Sequence, residues 1–161
     1  MSNNIKIGII IPAYQPNECL LRIICELENL FVDFEYKVLV VNDGSSNPEC
    51  NDIFNSVLKR KHTDLINHSR NLGKGGAIKT GLVYFKDKNY DYIITADADG
   101  QHSPDDILKI CLKVLTEKTF IIGQRVFKKD NPLRSKFGNS ITSYFFKKVF
   151  GNSIKDTQSG L

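Results

Sequence analysis

No stretch of this 161-residue chain approaches the ~18 consecutive apolar residues that a membrane-spanning helix needs. Residues 1–4, Met-Ser-Asn-Asn, carry neither the charged nor the apolar region of a secretory signal. The expectation is a chain that neither crosses a membrane nor is exported. Cysteine is sparse: Cys19, Cys25, Cys50 and Cys111 form no C-x-x-C pair and have no histidine at zinc spacing. That argues against a zinc site and a disulfide framework, and predicts reduced, mostly buried thiols of a cytoplasmic protein. Repeats, low-complexity tracts and linkers are also missing, so residues 1–161 are expected to form one domain.

Acidic residues run out toward the C-terminal end. Residues 124–161 hold 8 of the 22 Lys+Arg but only 2 of the 18 Asp+Glu, Asp130 and Asp156. The formal net charge of +4 therefore belongs to the last quarter of the chain. Such asymmetry points to an anionic partner there, a phosphate, a membrane surface or nucleic acid, unless it is simply a solvated lysine-rich face.

What is present alternates between two periodicities. Residues 5–11 are a β-rich apolar run stopped by Pro12. Residues 16–30 carry Leu20, Ile23, Ile24 and Leu27 at helical spacing. Residues 36–41 form a second apolar strand, and Asn47, Pro48 and Glu49 read as cap, first-turn proline and first-turn acid of a helix to residue 58. A weak strand at 64–67, a helix at 75–85, a strand at 92–96, a helix at 104–115, a strand at 120–122 and a helix at 134–150 complete the pattern. This order predicts an α/β protein with an open, mostly parallel sheet and helices on both faces. Ligands bind such sheets at the carboxyl ends of the strands. Three turn-rich segments are expected together there: Pro12-Ala13-Tyr14, Asn42-Asp43-Gly44-Ser45, and Asp97-Ala98-Asp99-Gly100-Gln101.

The third segment carries the chemistry. Asp105 and Asp106 are explained by the helix that follows, where Ser103 can cap, Pro104 suits the first position and first-turn acids favour the dipole. Asp97 and Asp99 precede that cap at the exit of a strand, where two carboxylates repel unless a cation lies between them. With Gln101 they make an oxygen-only set that suits Mg²⁺ or Mn²⁺ and leaves positions for substrate phosphate and water. The plainer alternative is a structural pair bonded to turn amides. His102 reads as a packed or capping residue. Residues 71–81, Asn-Leu-Gly-Lys-Gly-Gly-Ala-Ile-Lys-Thr-Gly, are no Walker loop, because Lys74 is followed by Gly75, and no dinucleotide fingerprint, because that pattern breaks at Ile78. They remain a glycine-rich turn into a helix, where Lys74 can meet an anion.

The ordered set Ile-Pro-Ala-Tyr (11–14), Val-Asn-Asp-Gly-Ser (41–45), Asn-Leu-Gly-Lys-Gly (71–75), Asp-Ala-Asp-Gly-Gln-His (97–102), Gly-Gln-Arg (123–125) and Asp-Thr-Gln-Ser-Gly (156–160) resembles glycosyltransferase family two. Within that family the chain looks most like the dolichyl-phosphate mannosyltransferase and bacterial polyprenyl-phosphate glycosyltransferase branch. The resemblance implies a GT-A fold and inverting transfer of a sugar from a UDP- or GDP-linked donor to a polyprenyl or dolichyl phosphate. By position, Pro12, Ala13, Tyr14, Asp43, Lys74, Asp97 and Ala98 would serve the nucleotide. Asp97, Asp99 and Gln101 would hold Mg²⁺ or Mn²⁺. Arg125 and Arg134 would face phosphate, and Asp156 and Gln158 would border the sugar. The chain departs from the family at Gln15-Pro16, where Asn-Glu is common, and at Asn42, where an aspartate is common. It also ends at Leu161, where the family continues, so truncation at the C-terminal end is expected.

This resemblance selects among the anionic partners: a phosphate and the cytoplasmic face of a membrane, not nucleic acid. Phe137, Ile141, Tyr144, Phe145 and Val149 share a broad helical face near Lys136, Lys147 and Lys148, fit either for peripheral membrane contact or for covering the sheet. Two other readings stay open. The acceptor can be a saccharide hydroxyl, with Asp156 as base, or the chain can bind nucleotide without transferring anything. A sugar-nucleotide-forming nucleotidyltransferase fits less well, because no glycine follows the first strand.

Overall fold

A computed structural model describes residues 5–100 and 104–116, all within one compact unit spanning Met1–Thr119. The chain runs β1 (Lys6–Ala13), α1 (Cys19–Leu30), β2 (Glu35–Asn42), α2 (Glu49–Val57), β3 (Thr63–Asn67), α3 (Gly73–Phe85), β4 (Tyr92–Thr95) and α4 (Pro104–Thr116). The strand and helix expected at 120–122 and 134–150 lie outside the described residues.

The four strands form one parallel sheet in the order β3-β2-β1-β4. Strand β1 is internal and apolar after Lys6: Ile7, Ile9, Ile10 and Ile11 are all buried. Burial of consecutive residues means that both faces of this strand are covered, as parallel sheets require. The crossovers from β1 to β2 to β3 set α1 and α2 together on one face, where α1 also packs on α4. The crossover from β3 to β4 runs back across the sheet and sets α3 on the other face. There Ile10, Leu39, Val41, Ala77 and Phe85 form a core cluster. The alternation of β1 assigns Ile7, Ile9 and Ile11 to the opposite face, with Leu20, Ile23, Ile24 and Leu27 buried along α1.

The first strand runs two residues further than its sequence suggests. Pro12 pairs with Val41 and Ala13 with Asn42. The reason lies in which side of β1 each peptide faces. The Ile10 carbonyl accepts from Ala96 N–H toward β4, and the Ala13 carbonyl accepts from Asp43 N–H toward β2. Pro12 therefore faces β4, whose ladder has already ended at the Ile10–Thr95 pair. A missing N–H costs nothing there.

Helix starts also differ from expectation, and a common device explains them. Asn17 Oδ1 accepts from Cys19 N–H at 2.9 Å, Asn47 Oδ1 from Glu49 N–H at 3.1 Å, and Asn71 Oδ1 from Gly73 N–H at 2.8 Å. Each asparagine satisfies an amide of the first turn that has no partner within the helix. So α1 begins at Cys19 and not near Pro16, and α3 begins at Gly73 and not at Gly75. All four cysteines are free thiols, but only Cys50 and Cys111 are buried; Cys19 is half-buried and Cys25 exposed. Burial pushes the Cys111 thiol up to about 12.

Candidate functional site

Four parallel strands bring their carboxyl ends to one edge, so the three turn-rich segments share it. The chain leaves β1 toward β2 on one side and returns to β4 on the other. The crevice between the ends of β1 and β4 is thus a topological switch point, the place where open α/β sheets take ligands. Ala13 is buried, Pro12 is half-buried and Tyr14 is 54% exposed on the rim.

Behind that crevice the turns are tied to one another. Gln15 has φ of 49° and stitches the turn after β1 to the turn after β2. Its N–H donates to Ser45 Oγ at 2.9 Å, its Nε2 to Ser46 Oγ at 3.1 Å, and its Oε1 accepts from Asn47 N–H at 3.1 Å. Asn42 holds the same turn from below: Oδ1 accepts from Ser45 N–H and Nδ2 donates to Asn67 Oδ1, each at 2.9 Å. Gly44, at φ of 72°, lies under the backbone of Arg70 and Asn71, where an added Cβ would come within 2.4 Å of the Arg70 carbonyl carbon. No other residue fits both that approach and that dihedral angle.

Asp43 is the most enclosed charged residue of the edge, with 3% of its surface exposed. Its Oδ1 accepts from Leu72 N–H at 2.9 Å and lies 2.7 Å from His68 Nδ1. His68 Nε2 in turn lies 2.9 Å from Thr80 Oγ1 on α3. Burial alone would raise the Asp43 pKa. The Leu72 amide, His68 and the Gly73 amide outweigh it and hold the carboxyl below its ordinary range. Asp43 is therefore an ionised anchor joining the turn after β2 to the start of α3.

The acidic segment follows directly from β4. Asp97 and Ala98 are half-buried and Asp99 is exposed. Lys74 Nζ, from the first turn of α3, lies 2.5 Å from Asp97 Oδ1. Gly100 has φ of 78°, and an added Cβ there would come within 3.0 Å of Arg22 Nη2. An arginine of α1 thus lies over the acidic turn, a residue that no spacing rule singled out. Asp105 and Asp106 are exposed in the first turn of α4, and Asp106 pairs with Lys109 at 2.8 Å, consistent with a role confined to that helix.

The structure therefore brings Pro12, Ala13, Tyr14, Asp43, Lys74, Asp97, Ala98 and Asp99 to one sheet edge. Gln101, Arg125, Arg134, Asp156 and Gln158 lie outside the described residues. Sequence reasoning missed His68, Thr80, Gln15 and Arg22. Each acts through residues far away in the chain, and no local pattern reports such a partner. Among the described residues no group of three His, Cys, Asp or Glu side chains is arranged to hold a metal. The donor set is two carboxylates, which fits a hard cation completing its shell with phosphate and water oxygens.

The model of the family described as glycosyl transferase family 2 matches residues 8–159. The UDP-N-acetylglucosamine–dolichyl-phosphate N-acetylglucosaminyltransferase of Methanococcus voltae is 31% identical over 177 aligned residues, covering 96% of this chain and 67% of that protein. The undecaprenyl-phosphate 4-deoxy-4-formamido-L-arabinose transferase of Photorhabdus laumondii is 29% identical, covering 94% of this chain and 46% of that protein. Against other relatives the share is 64% and 58%, so the chain spans about half to two thirds of their length. The crystal structure of S. aureus TarS 1-349 superposes with a TM-score of 0.51 at 19% identity, over 77% of this chain and 39% of that one. That likeness concerns the fold, which is of the GT-A type.

Proposed function

The chain belongs to glycosyl transferase family 2, and on that footing we propose that it transfers a sugar from a UDP- or GDP-linked donor to a polyprenyl phosphate, with inversion. The observation that carries the reading is the convergence of Pro12-Ala13-Tyr14, the Asp43 turn and Asp97-Ala98-Asp99 on the switch point between β1 and β4. Support for the acceptor class comes from the two named relatives, whose names specify dolichyl and undecaprenyl phosphate.

In this reading Pro12, Ala13, Tyr14 and Ala98 line the nucleoside pocket, and Asp43 shapes it by fixing the turn between β2 and α2. Asp97, Asp99 and Gln101 hold Mg²⁺ or Mn²⁺. When bound, the divalent cation neutralises charge that builds on the diphosphate leaving group, so no proton donor is needed. A phosphate acceptor is already anionic near neutral pH and needs orientation more than deprotonation. Arg125 and Arg134 supply it, since guanidinium forks grip phosphate oxygens in pairs. Asp156 and Gln158 border the transferred sugar. The basic C-terminal quarter meets the cytoplasmic face of the membrane that holds the lipid acceptor.

The test is transfer of label from radiolabelled UDP- and GDP-sugars to a short-chain polyprenyl phosphate, using both this chain and a form extended beyond Leu161. Label in the lipid fraction, lost with chelator, is the expected result. Label on a free saccharide with lipid phosphate inert would move the acceptor to a hydroxyl and make Asp156 the base. Metal-dependent nucleotide binding by both forms, with transfer by neither, would leave a binding module.

A further inference from the structure

Two carboxylates side by side at the exit of a strand call for positive charge, and the chain supplies some of its own. Lys74 Nζ lies 2.5 Å from Asp97 Oδ1. We propose that Lys74 is a stand-in for the metal: it neutralises Asp97 while the site is unloaded and moves to the donor's diphosphate when cation and nucleotide arrive. This rests on the nucleotide-sugar reading above.

Three features of the structure support the exchange. First, the ammonium and a divalent cation compete for one carboxylate, because two cations at ion-pair distance from the same oxygen repel each other strongly. Second, the base of the lysine is fixed while its end is not. The start of α3 is pinned by Leu72 N–H on Asp43 Oδ1, by Gly73 N–H on Asn71 Oδ1, and about two turns later by Thr80 beside His68. The Lys74 side chain itself is 47% exposed. Third, its two neighbours leave room. A Cβ built on Gly73 or on Gly75, the residues flanking Lys74, meets nothing within 4 Å. A lysine held at its root, half-exposed, flanked by two glycines and carrying three rotatable donors, can turn from a carboxylate to a phosphate without moving the helix. Its new position would be at the amino end of α3, where helix amides add to the attraction for an anion.

The exchange predicts effects of opposite sign from one substitution, which a lysine serving only as an ion-pair partner or only as a phosphate ligand would not produce. The 161-residue chain is titrated with Mn²⁺ alone, followed by electron paramagnetic resonance of the free ion, and then with UDP and GDP at saturating Mn²⁺ by calorimetry. Lys74→Met should tighten Mn²⁺ alone by about two- to fivefold, the size expected when a half-exposed ion pair stops competing. The same variant should weaken the better nucleotide by about tenfold, as for loss of a charged hydrogen-bond partner. Lys74→Arg, which keeps the charge, should leave Mn²⁺ affinity near that of the parent. Weaker nucleotide binding with unchanged or weaker Mn²⁺ binding would overturn the exchange and leave Lys74 a simple phosphate ligand. If the parent and both variants bind neither Mn²⁺ nor nucleotide, the nucleotide-sugar reading itself fails and the exchange with it.

Discussion

An ionised carboxylate with 3% of its residue surface exposed is costly unless donors surround it, and Asp43 has donors on two sides. Its pKa is lowered in the folded protein, so it binds protons more weakly there than in the unfolded chain. The resulting stability is fully present above the ordinary carboxylate range, about 3.9, and is lost as pH falls through the lower folded value. Asp43→Asn keeps the shape and removes the charge. It should cost about 1.5–3 kcal/mol near neutral pH, the range for hydrogen bonds to a charged group. Urea unfolding of both proteins across the acid range checks this. Their separation should hold steady above about pH 5 and close below about pH 4. A constant separation down to low pH would mean that the donors the amide introduces, and not the lost charge, cause the difference. Sequence reasoning singled out Asp43 from its place after an apolar strand but did not find His68. A lone histidine after a weak five-residue strand carries no mark of a partner 25 residues earlier.

At the scale of elements, α3 shows why some of the fold was legible and some was not. Strands β1 and β2 and helices α1 and α4 announce themselves because their apolar residues have a clear period. Helix α3, expected over 75–85, has no such period, so its core-facing side was not legible: Leu82 and Val83 are exposed, while two of its contacts with the sheet are made by Ala77 and Gly81. A Cβ at Gly81 would lie 2.6 to 2.8 Å from three atoms of the Ile10 side chain. Glycine here sets how closely the helix approaches the central strand. Gly81→Ala must push Ile10 aside or lift the helix, and overpacking of this kind costs about 1–3 kcal/mol. Because α3 also carries Lys74 and the Leu72 and Gly73 amides on Asp43, lifting it should loosen the sheet edge as well. The expected signature is a lower melting temperature together with weaker nucleotide binding. Gly75→Ala, with open space around the new methyl group, is the control and should be neutral or slightly stabilising. Loss of stability in the control but not at Gly81 would refute this account of the packing.

Across the whole molecule, charge is the property that the folded core does not explain. The 14 Lys+Arg of residues 1–123 are matched by 16 Asp+Glu, whereas residues 124–161 are strongly basic. Among the described residues no helix is long and apolar enough to cross a membrane, yet the proposed acceptor is a lipid. A basic segment bridges that gap if it holds the chain at an anionic surface, where each Lys or Arg near the surface contributes about 1 kcal/mol. The 161-residue chain should therefore pellet with vesicles containing anionic phospholipid and stay in solution with zwitterionic ones. Binding should fall steeply as salt rises from about 0.1 M toward 1 M, since the screening length shrinks from about 10 Å to about 3 Å over that range. Replacing Lys147 and Lys148 together by glutamine should weaken binding about thirtyfold, taking about 1 kcal/mol for each. Equal binding to both vesicle types, insensitive to salt, would mean that the apolar residues among 137–149 drive attachment and the lysines are incidental. Binding to neither would confine the basic residues to the acceptor's phosphate, and membrane attachment would then have to come from a different part of the protein.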